Sequence, residues 1–457
     1  MKSHSLVYRD YESEWYSRWS KELKQYKGHL ENHSLYANKF WQNAVMAEIL
    51  WEHGLLTDGK RGLGFGVGEE RLPALFAKHG VAITATDQDF TTQKAGYWSE
   101  QELATGVQSL NKLNICDAEA FNKLVAYRPA DMKKIPRALQ KAEYDFLWSN
   151  CALGHLGSIP AGLEFIENSL KCLKPGGWAV HTTELNILSN DETVTGGSTV
   201  IFRIKDVYEL QKKLTDQGYV VSPFNLMMGA QKADKRISMW PQFGNDYSKI
   251  QVMGHLATQI VLIIQRPIKP RSKAALLRQK LAIEQAYQRN RLVLQNYRRY
   301  DPTLKLILKS QKASVKEIVV APKRTVINVT IPKGQSKEVV VPYTNQSKIP
   351  LFSTFARLGN SNPIVLATTN HPDRASPFAD SSWLGRNRNR LPPEFWQKKA
   401  SKYVMADHVL PGEAFAFKAT LNAADVPKGR YDEDVCIVQE NAGWVEHSVV
   451  RLAVTVV

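Results

Sequence analysis

Leu63-Gly64-Phe65-Gly66-Val67-Gly68, with Asp87 nineteen residues beyond the last glycine at the end of the apolar run Val81-Ala82-Ile83-Thr84-Ala85-Thr86, decides the fold of this chain. Glycine has no Cβ, so alternating glycines let the backbone turn sharply from strand to helix while a ligand lies against bare amides. From about Glu70 to Lys78 the pattern places Leu72, Leu75 and Phe76 on one helical face, and Gly80 ends that helix before the next strand. Strand, glycine loop, helix, strand and acid in this order predict a nucleotide-type cofactor site in a doubly wound α/β domain. An acid so placed accepts hydrogen bonds from a ribose diol, the role assigned to Asp87.

The following hundred residues extend the pattern. Tyr144-Asp145-Phe146-Leu147-Trp148-Ser149-Asn150 reads as a further strand. It is followed by a helix ending in Leu170-Lys171-Cys172-Leu173-Lys174-Pro175-Gly176-Gly177, and then by the strand Trp178-Ala179-Val180-His181-Thr182-Thr183. With LGFGVG, ATD, ADM, YDFLWSN and LKPGG in this order, residues 40 to 265 resemble the class I S-adenosylmethionine-dependent methyltransferases. The resemblance implies a Rossmann-like domain with S-adenosylmethionine as cofactor. Gly64, Gly66 and Gly68 would lie along its methionyl part and ribose, Asp87 would hold the ribose hydroxyls, and Ser149 would complete the set. Asp117 and Asp131 are both candidates for the adenine amino group. Asp131 is preferred, with the Met132 amide serving a ring nitrogen, because it follows a third strand expected around Leu124 to Tyr127.

Methyl transfer to a hydroxyl needs alignment and a base, and in an open α/β sheet the base comes from the carboxyl ends of strands. His155, just beyond Ser149-Asn150-Cys151, and Glu184, at the end of the next strand, are the two candidates. Tyr97 and Trp98 are candidate pocket walls. Asn150-Cys151-Ala152-Leu153 stands where enzymes acting on base amino groups carry Asn-Pro-Pro-Tyr or Asp-Pro-Pro-Tyr, which argues against that acceptor. LGFGVGEE, WSNCALGHLGS and HTTELN together resemble a bacterial methyltransferase group that accompanies surface-polysaccharide assembly. This resemblance implies O-methylation of a sugar on a glycan or lipid-linked glycan.

The chain has 457 residues, enough for two or three domains, and its 43% hydrophobic content is ordinary for a globular protein. Cys116, Cys151, Cys172 and Cys436 form no C-x-x-C pair, so neither a metal site nor a disulfide framework is expected. With no apolar segment long enough to span a bilayer, a cytoplasmic protein is expected, peripheral at the inner membrane if its basic segment binds there.

Much of the net charge of +16 lies between Arg266 and Arg324, where sixteen Lys and Arg face three acidic residues. Ser272 to Arg299 lacks proline and glycine and predicts a long helix. This segment suits a solvated spacer, an anionic membrane surface or, less well, a nucleic acid. Beyond Lys316, short β-rich runs at 317–320, 326–330, 338–341, 414–417 and 449–454 predict an all-β sandwich. Leu410-Pro411-Gly412-Glu413, Pro427-Lys428-Gly429-Arg430-Tyr431 and the segment Val438 to Trp444 resemble immunoglobulin-like domains. His371-Pro372-Asp373-Arg374, Ser382-Trp383 and Arg386 resemble an insert found in bacterial members of that group. The expected organisation is therefore a methyltransferase domain over 1–266, a basic helical linker over 267–314 and an immunoglobulin-like domain over 315–457. A nucleic-acid methyltransferase and a cofactor-binding scaffold acting through the sandwich are the alternatives.

Overall fold

The computed structural model describes the chain except residues 25–35, 89–106, 232, 236, 239–247, 253–254, 301–314, 350, 353–363, 370–375, 380–382, 384–394, 400–401, 407 and 440–442. The chain divides into two compact units. The first comprises Met1–Ser238, Gln242–Ile250 and His255–Arg299, and the second is chiefly Tyr300–Val457.

The first unit is built on a twisted sheet whose principal strands are β1 (Arg61–Phe65), β2 (Ala82–Asp87), β3 (Val125–Pro129), β4 (Tyr144–Asn150), β5 (Leu173–Asn186) and β6 (His255–Gln265). They lie in the order β3-β2-β1-β4-β5-β6, with β1 to β5 parallel and β6 antiparallel to β5. The chain reverses its direction of travel across the sheet between β1 and β4, the switch point at which open α/β sheets bind ligands. Helices α1 (Tyr36–Glu52), α2 (Leu72–Lys78), α3 (Ala118–Leu124), α4 (Ile159–Ser169), α5 (Ile204–Asp216) and α6 (Lys273–Tyr300) complete the framework. Trp41, Phe76, Phe146 and Trp148 are fully buried in the core. Phe76 meets both Phe146 and Trp148 edge-on, at ring-centroid distances of 5.5 and 5.1 Å, a geometry that aligns the positive edge of one ring with the negative face of the next.

Two boundaries differ from expectation. The helix after the glycine loop begins at Leu72, with Pro73 in its first turn, where a missing N–H costs nothing. Leu173-Lys174-Pro175-Gly176-Gly177 lies within β5 and does not precede it. The pairing with β4 shifts register there, Gly176 takes φ +86°, and the Gly176 and Gly177 backbones bond to Arg266 instead. A β-bulge thus absorbs the residues that read as a turn.

The basic helix α6 is part of the first unit. Ile283, Ala286, Asn290 and Leu294 are buried along one face. Asn290 accepts from the Leu226 amide and donates to the Phe224 carbonyl, both at 2.9 Å. Tyr287 stacks on Tyr208 of α5 at 4.1 Å, and Lys280 pairs with Asp216. Its remaining basic side chains lie on the outward face, where a solvated helix keeps them.

The second unit is all-β, with two five-stranded sheets. One contains Val320–Pro322, Ser336–Asn345, Ala414–Asn422, Phe395–Lys399 and Lys402–Ala406. The other contains Val326–Ile331, Val450–Val456, Gly429–Gln439, Ile364–Thr368 and Gly443–Trp444. Inward side chains including Val341, Tyr343, Phe417, Ile437 and Leu452 form one core, as the period-two pattern requires. The first β-rich run turns into a 3-10 segment at Val315–Glu317 before pairing begins at Val320. Of the expected insert, Trp383 is buried and donates to the Thr420 carbonyl at 2.9 Å. His371, Pro372, Asp373, Arg374, Ser382 and Arg386 lie outside the described residues.

Candidate active site

At the carboxyl ends of β1, β2 and β4 the sheet opens into a cavity of about 320 Å³. One wall is the glycine loop. Gly66 and Gly68 take φ +61° and +49°, in the left-handed region that glycine reaches without strain. A Cβ on Gly66 would stand 2.8 Å from the Cβ of Ala152 and 3.1 Å from Met132 Sδ, so a side chain there would collide with the opposite wall. The loop is held by its own strands. Val67 N–H donates to the Thr86 carbonyl at 3.1 Å, and Thr86 Oγ1 donates to the Gly64 carbonyl at 2.7 Å.

Asp87, buried at the tip of β2, accepts from Gly68 N–H at 2.7 Å through one oxygen and from Gln88 N–H at 2.8 Å through the other. Burial raises its pKa against the pull of these two amides. Each oxygen keeps a second lone pair, so the carboxylate can brace the loop and still accept from a diol.

The expected residues divide. Gly66, Gly68, Asp87, Met132 and His155 line the cavity, whereas Gly64, Asp131, Ser149 and Glu184 do not. Gly64 faces the core, where an added Cβ would sit 2.4 Å from the Trp148 indole, so close packing of strand against ring explains it. Asp131 is exposed and accepts from Lys133 N–H at 2.8 Å as the cap of a short 3-10 turn, leaving Ala130 and Met132 to face the cavity. Asp117 likewise caps α3, accepting from the Glu119 and Ala120 amides. Ser149 is sealed beneath the surface at 2.8 Å from His181 Nδ1. Burial pushes His181 down to about 3, so its ring is neutral. Tyr97 and Trp98 lie outside the described residues.

Glu184 stands behind Cys151. It accepts from the Cys151 thiol at 2.8 Å and from Gln259 Nε2 at 3.1 Å, and Gln259 is in turn bonded by Gln42 of α1. Burial pushes the Cys151 thiol well above its ordinary range, and the neighbouring Glu184 carboxylate adds to the shift. Cys151 is therefore a neutral donor that lines the cavity and not a thiolate nucleophile. It holds φ +58°, a left-handed conformation costly for a residue with a side chain. Its amide is satisfied by the Thr182 carbonyl and hydroxyl at 3.1 and 3.2 Å. His155 is half-buried at the rim, its Nδ1 3.0 Å from the Ser198 carbonyl.

Sequence reading missed two contributions to the cavity. Glu70, the second acid of Gly68-Glu69-Glu70, takes the Trp148 indole N–H at 2.6 Å. Burial pushes its carboxyl up to about 8. The Trp148 and Asn150 hydrogen bonds and the Lys39 charge oppose that rise, and the neighbouring Asp87 adds to it. The pair of acids that follows the glycines was the available signal. Lys39, Phe40 and Asn43 come from α1, and Asn43 accepts from Asn150 Nδ2 at 2.7 Å. Helix α1 carries no motif, so nothing local marked these residues. Among the described residues no cluster of His, Cys, Asp and Glu has the arrangement of a metal site, and no helix is long and apolar enough to cross a membrane.

No family model matches the chain, and no curated protein does. Solved structures similar to it include a SAM-dependent methyltransferase from Methanosarcina mazei, 12% identical over 48% of this chain and 98% of that one, with a TM-score of 0.30. A second is the 1,6-didemethyltoxoflavin-N1-methyltransferase of Burkholderia thailandensis with bound 1,6-didemethyltoxoflavin and S-adenosylhomocysteine, 13% identical over 57% of this chain and 91% of that one, at 0.30. A third is the [4+2]-cyclase SpnF, 15% identical over 50% of this chain and 84% of that one, at 0.32. Likeness at this level leaves function to be argued from the cavity itself.

Proposed function

We propose that the first unit is an S-adenosylmethionine-dependent methyltransferase. The observation that carries this reading is the pairing of Asp87 with the Gly66-Val67-Gly68 turn at the sheet's switch point. A buried carboxylate braces the glycine turn and faces a cavity large enough for a small ligand. Asp87 takes the ribose hydroxyls, Met132 packs on the adenine, and the Gly66 and Gly68 backbone allows close approach. The cofactor is cationic at sulfur and at its amino group, and Glu70 and Asp87 supply the compensating carboxyls.

The acceptor enters from the side of Cys151, Ala152 and His155. His155 is the better candidate base because it stands at the cavity, whereas Glu184 is separated from it by Cys151. In the proposed reaction the acceptor hydroxyl gives its proton to His155 as its oxygen takes the sulfonium methyl, leaving S-adenosylhomocysteine and a methyl ether. A sugar of a surface polysaccharide or lipid-linked glycan is the proposed acceptor, in keeping with a base placed at the cavity to take a hydroxyl proton.

Two further readings accompany it. An immunoglobulin-like second unit is supported by its paired sheets and by the Tyr431 hydroxyl, which returns to the Pro427 carbonyl at 2.8 Å in the manner of a tyrosine corner. Association of α6 with an anionic membrane surface is supported by exposed Leu277, Leu281 and Leu292 on one side of a helix that also carries Arg278, Lys280, Arg289 and Arg291.

Calorimetry with S-adenosylmethionine and S-adenosylhomocysteine tests the cofactor, with one site per chain expected. Binding of a nicotinamide dinucleotide in their place overturns the reading. Mass spectrometry of surface glycans from cells with and without the gene tests the acceptor, the expected difference being one CH₂ unit per modified sugar.

A further inference from the structure

The first unit carries a second cleft, of about 300 Å³, lined by Asn190, Asp191, Lys205, Tyr287, Arg291 and Arg298 together with Leu294 and Gln295. Three of these side chains are cationic and one is anionic. The anion does little to neutralise the cations. Asp191 meets Lys205 at 3.5 Å with its own side chain 89% exposed, so water screens the pair. Arg291 hydrogen-bonds to the neutral Gln288 at 3.3 Å and lies over the Tyr287 ring at 5.7 Å. Arg298 has no carboxylate within ion-pair distance among the described residues.

The floor of the cleft is fixed. Tyr287 is stacked on Tyr208 at 4.1 Å and 12° between planes, and the Tyr208 hydroxyl is bonded to Glu284. Asn190 is locked at both ends of its amide, donating to the Tyr287 hydroxyl at 3.3 Å and accepting from Lys205 N–H at 2.8 Å. Arg291 and Arg298 are seven residues apart on α6, two turns, so their guanidinium groups project from the same side of the helix toward the same concavity. Glu284, itself held by Tyr208 and Gln288, partly offsets the Arg291 charge. A rigid aromatic and amide floor beneath two guanidiniums and an ammonium, with Arg298 unpaired among the described residues, suits a compact, multiply charged oxyanion. Guanidinium forks match phosphate oxygens two at a time.

We infer that this cleft binds a phosphate or diphosphate group. It stands apart from the proposed cofactor cavity but shares a chain segment with it. Residues 190 and 191 line the cleft, while Ser198 and Val200, a few residues on, bond to His155 and Gly154 at the cavity's acceptor side. A phosphorylated molecule could be soluble or a lipid headgroup, and α6 offers Leu277, Leu281 and Leu292 to the second source.

The test uses the full chain and inorganic pyrophosphate, read by calorimetry at constant ionic strength. The wild type is expected to bind in the sub-millimolar range with one site. The pair Arg291→Gln and Arg298→Gln should weaken binding at least tenfold. The pair Arg278→Gln and Arg289→Gln, which removes equal charge from another side of α6, should weaken it less than twofold. Thermal melting of each variant checks that the fold is kept, and the exposed positions of all four arginines make it robust to these changes. Absence of wild-type binding at millimolar pyrophosphate overturns the inference, as does equal weakening by both pairs, which would mean diffuse charge and no site. Flotation with phosphatidic acid vesicles against phosphatidylcholine vesicles then separates the sources. Loss of flotation in the Arg291/Arg298 pair assigns the site to a lipid headgroup, and pyrophosphate binding without flotation assigns it to a soluble phosphate. Neither readout needs the methyltransferase reaction, so failure here and failure of the proposed function are distinct.

Discussion

The two ends of the cavity are built differently. The end that holds Gly66, Gly68 and Asp87 is made by one continuous strand-loop-helix-strand unit, fixed by hydrogen bonds that join its backbone to itself and to the Thr86 and Asp87 side chains. The opposite end is assembled from Lys39, Phe40 and Asn43 on α1, Cys151 and His155 after β4, and, one layer out, Glu184 on β5 and Gln259 on β6. A site built within one local unit specifies few side chains, here Thr86 and Asp87. A site made of side chains from four elements depends on each of them. The first arrangement suits a constant ligand and the second a variable one.

The largest effect that would sharpen this contrast lies at the acceptor end. His155→Ala is expected to lower turnover by ~10² to 10⁴ with cofactor affinity nearly unchanged, and Glu184→Gln by less than about tenfold, because Glu184 acts through Cys151. Single-turnover methyl transfer with measured cofactor binding separates the two. An equal loss in both variants would make the outer layer part of the chemistry. At the cofactor end, Asp87→Ala is expected to weaken S-adenosylmethionine by ~1.5 to 3 kcal/mol, the range for a charged hydrogen-bond partner, with calorimetry as the measurement. An unchanged affinity would mean that cavity residues other than Asp87 hold the ligand.

A third test concerns α6. Asn290→Ala strands the buried Leu226 amide and Phe224 carbonyl and should lower unfolding free energy by ~1 to 3 kcal/mol in a denaturant titration. By the same packing, a fragment ending at residue 266 loses the face of α6 that covers α5 and should melt below the fragment ending at 299. A boundary at 266 therefore cuts through a packed unit.

The smallest expected effect is a pH signature of Glu70. Its carboxyl, held near 8 in the fold against an ordinary 4.5, keeps its proton in the neutral range. The folded state then binds more protons than the unfolded state between these values. Stability contributed by this group is complete below about 4.5 and is lost as pH rises through about 8. A cationic ligand nearby favours the ionised form, so S-adenosylmethionine should release a proton on binding below about pH 8 and S-adenosylhomocysteine, which lacks the sulfonium, fewer. Calorimetry in buffers of different ionisation enthalpy reads this directly, and Glu70→Gln should abolish the difference. Equal proton release by both ligands would place the sulfonium away from Glu70.

The sequence by itself determined the α/β class, the glycine turn, Asp87, the strand Tyr144 to Asn150, the long basic helix and the β character of the chain beyond Lys316. Each is a local pattern in which period, glycine spacing or composition acts within about one element. Tertiary structure decided the rest. Asp131 and Ser149 sit next to cavity-lining residues in sequence, yet one became a turn cap and the other was buried against His181, because successive side chains along a strand or turn point to different sides. Glu70 acquired its altered acidity only on burial in the packed site, against the pull of its hydrogen bond from Trp148. Lys39, Phe40 and Asn43 entered the site only because α1 packs against β4, β5 and β6 with its first turns at the cavity. Burial and proximity between residues far apart in sequence are properties of the packed fold, and no window of sequence contains them.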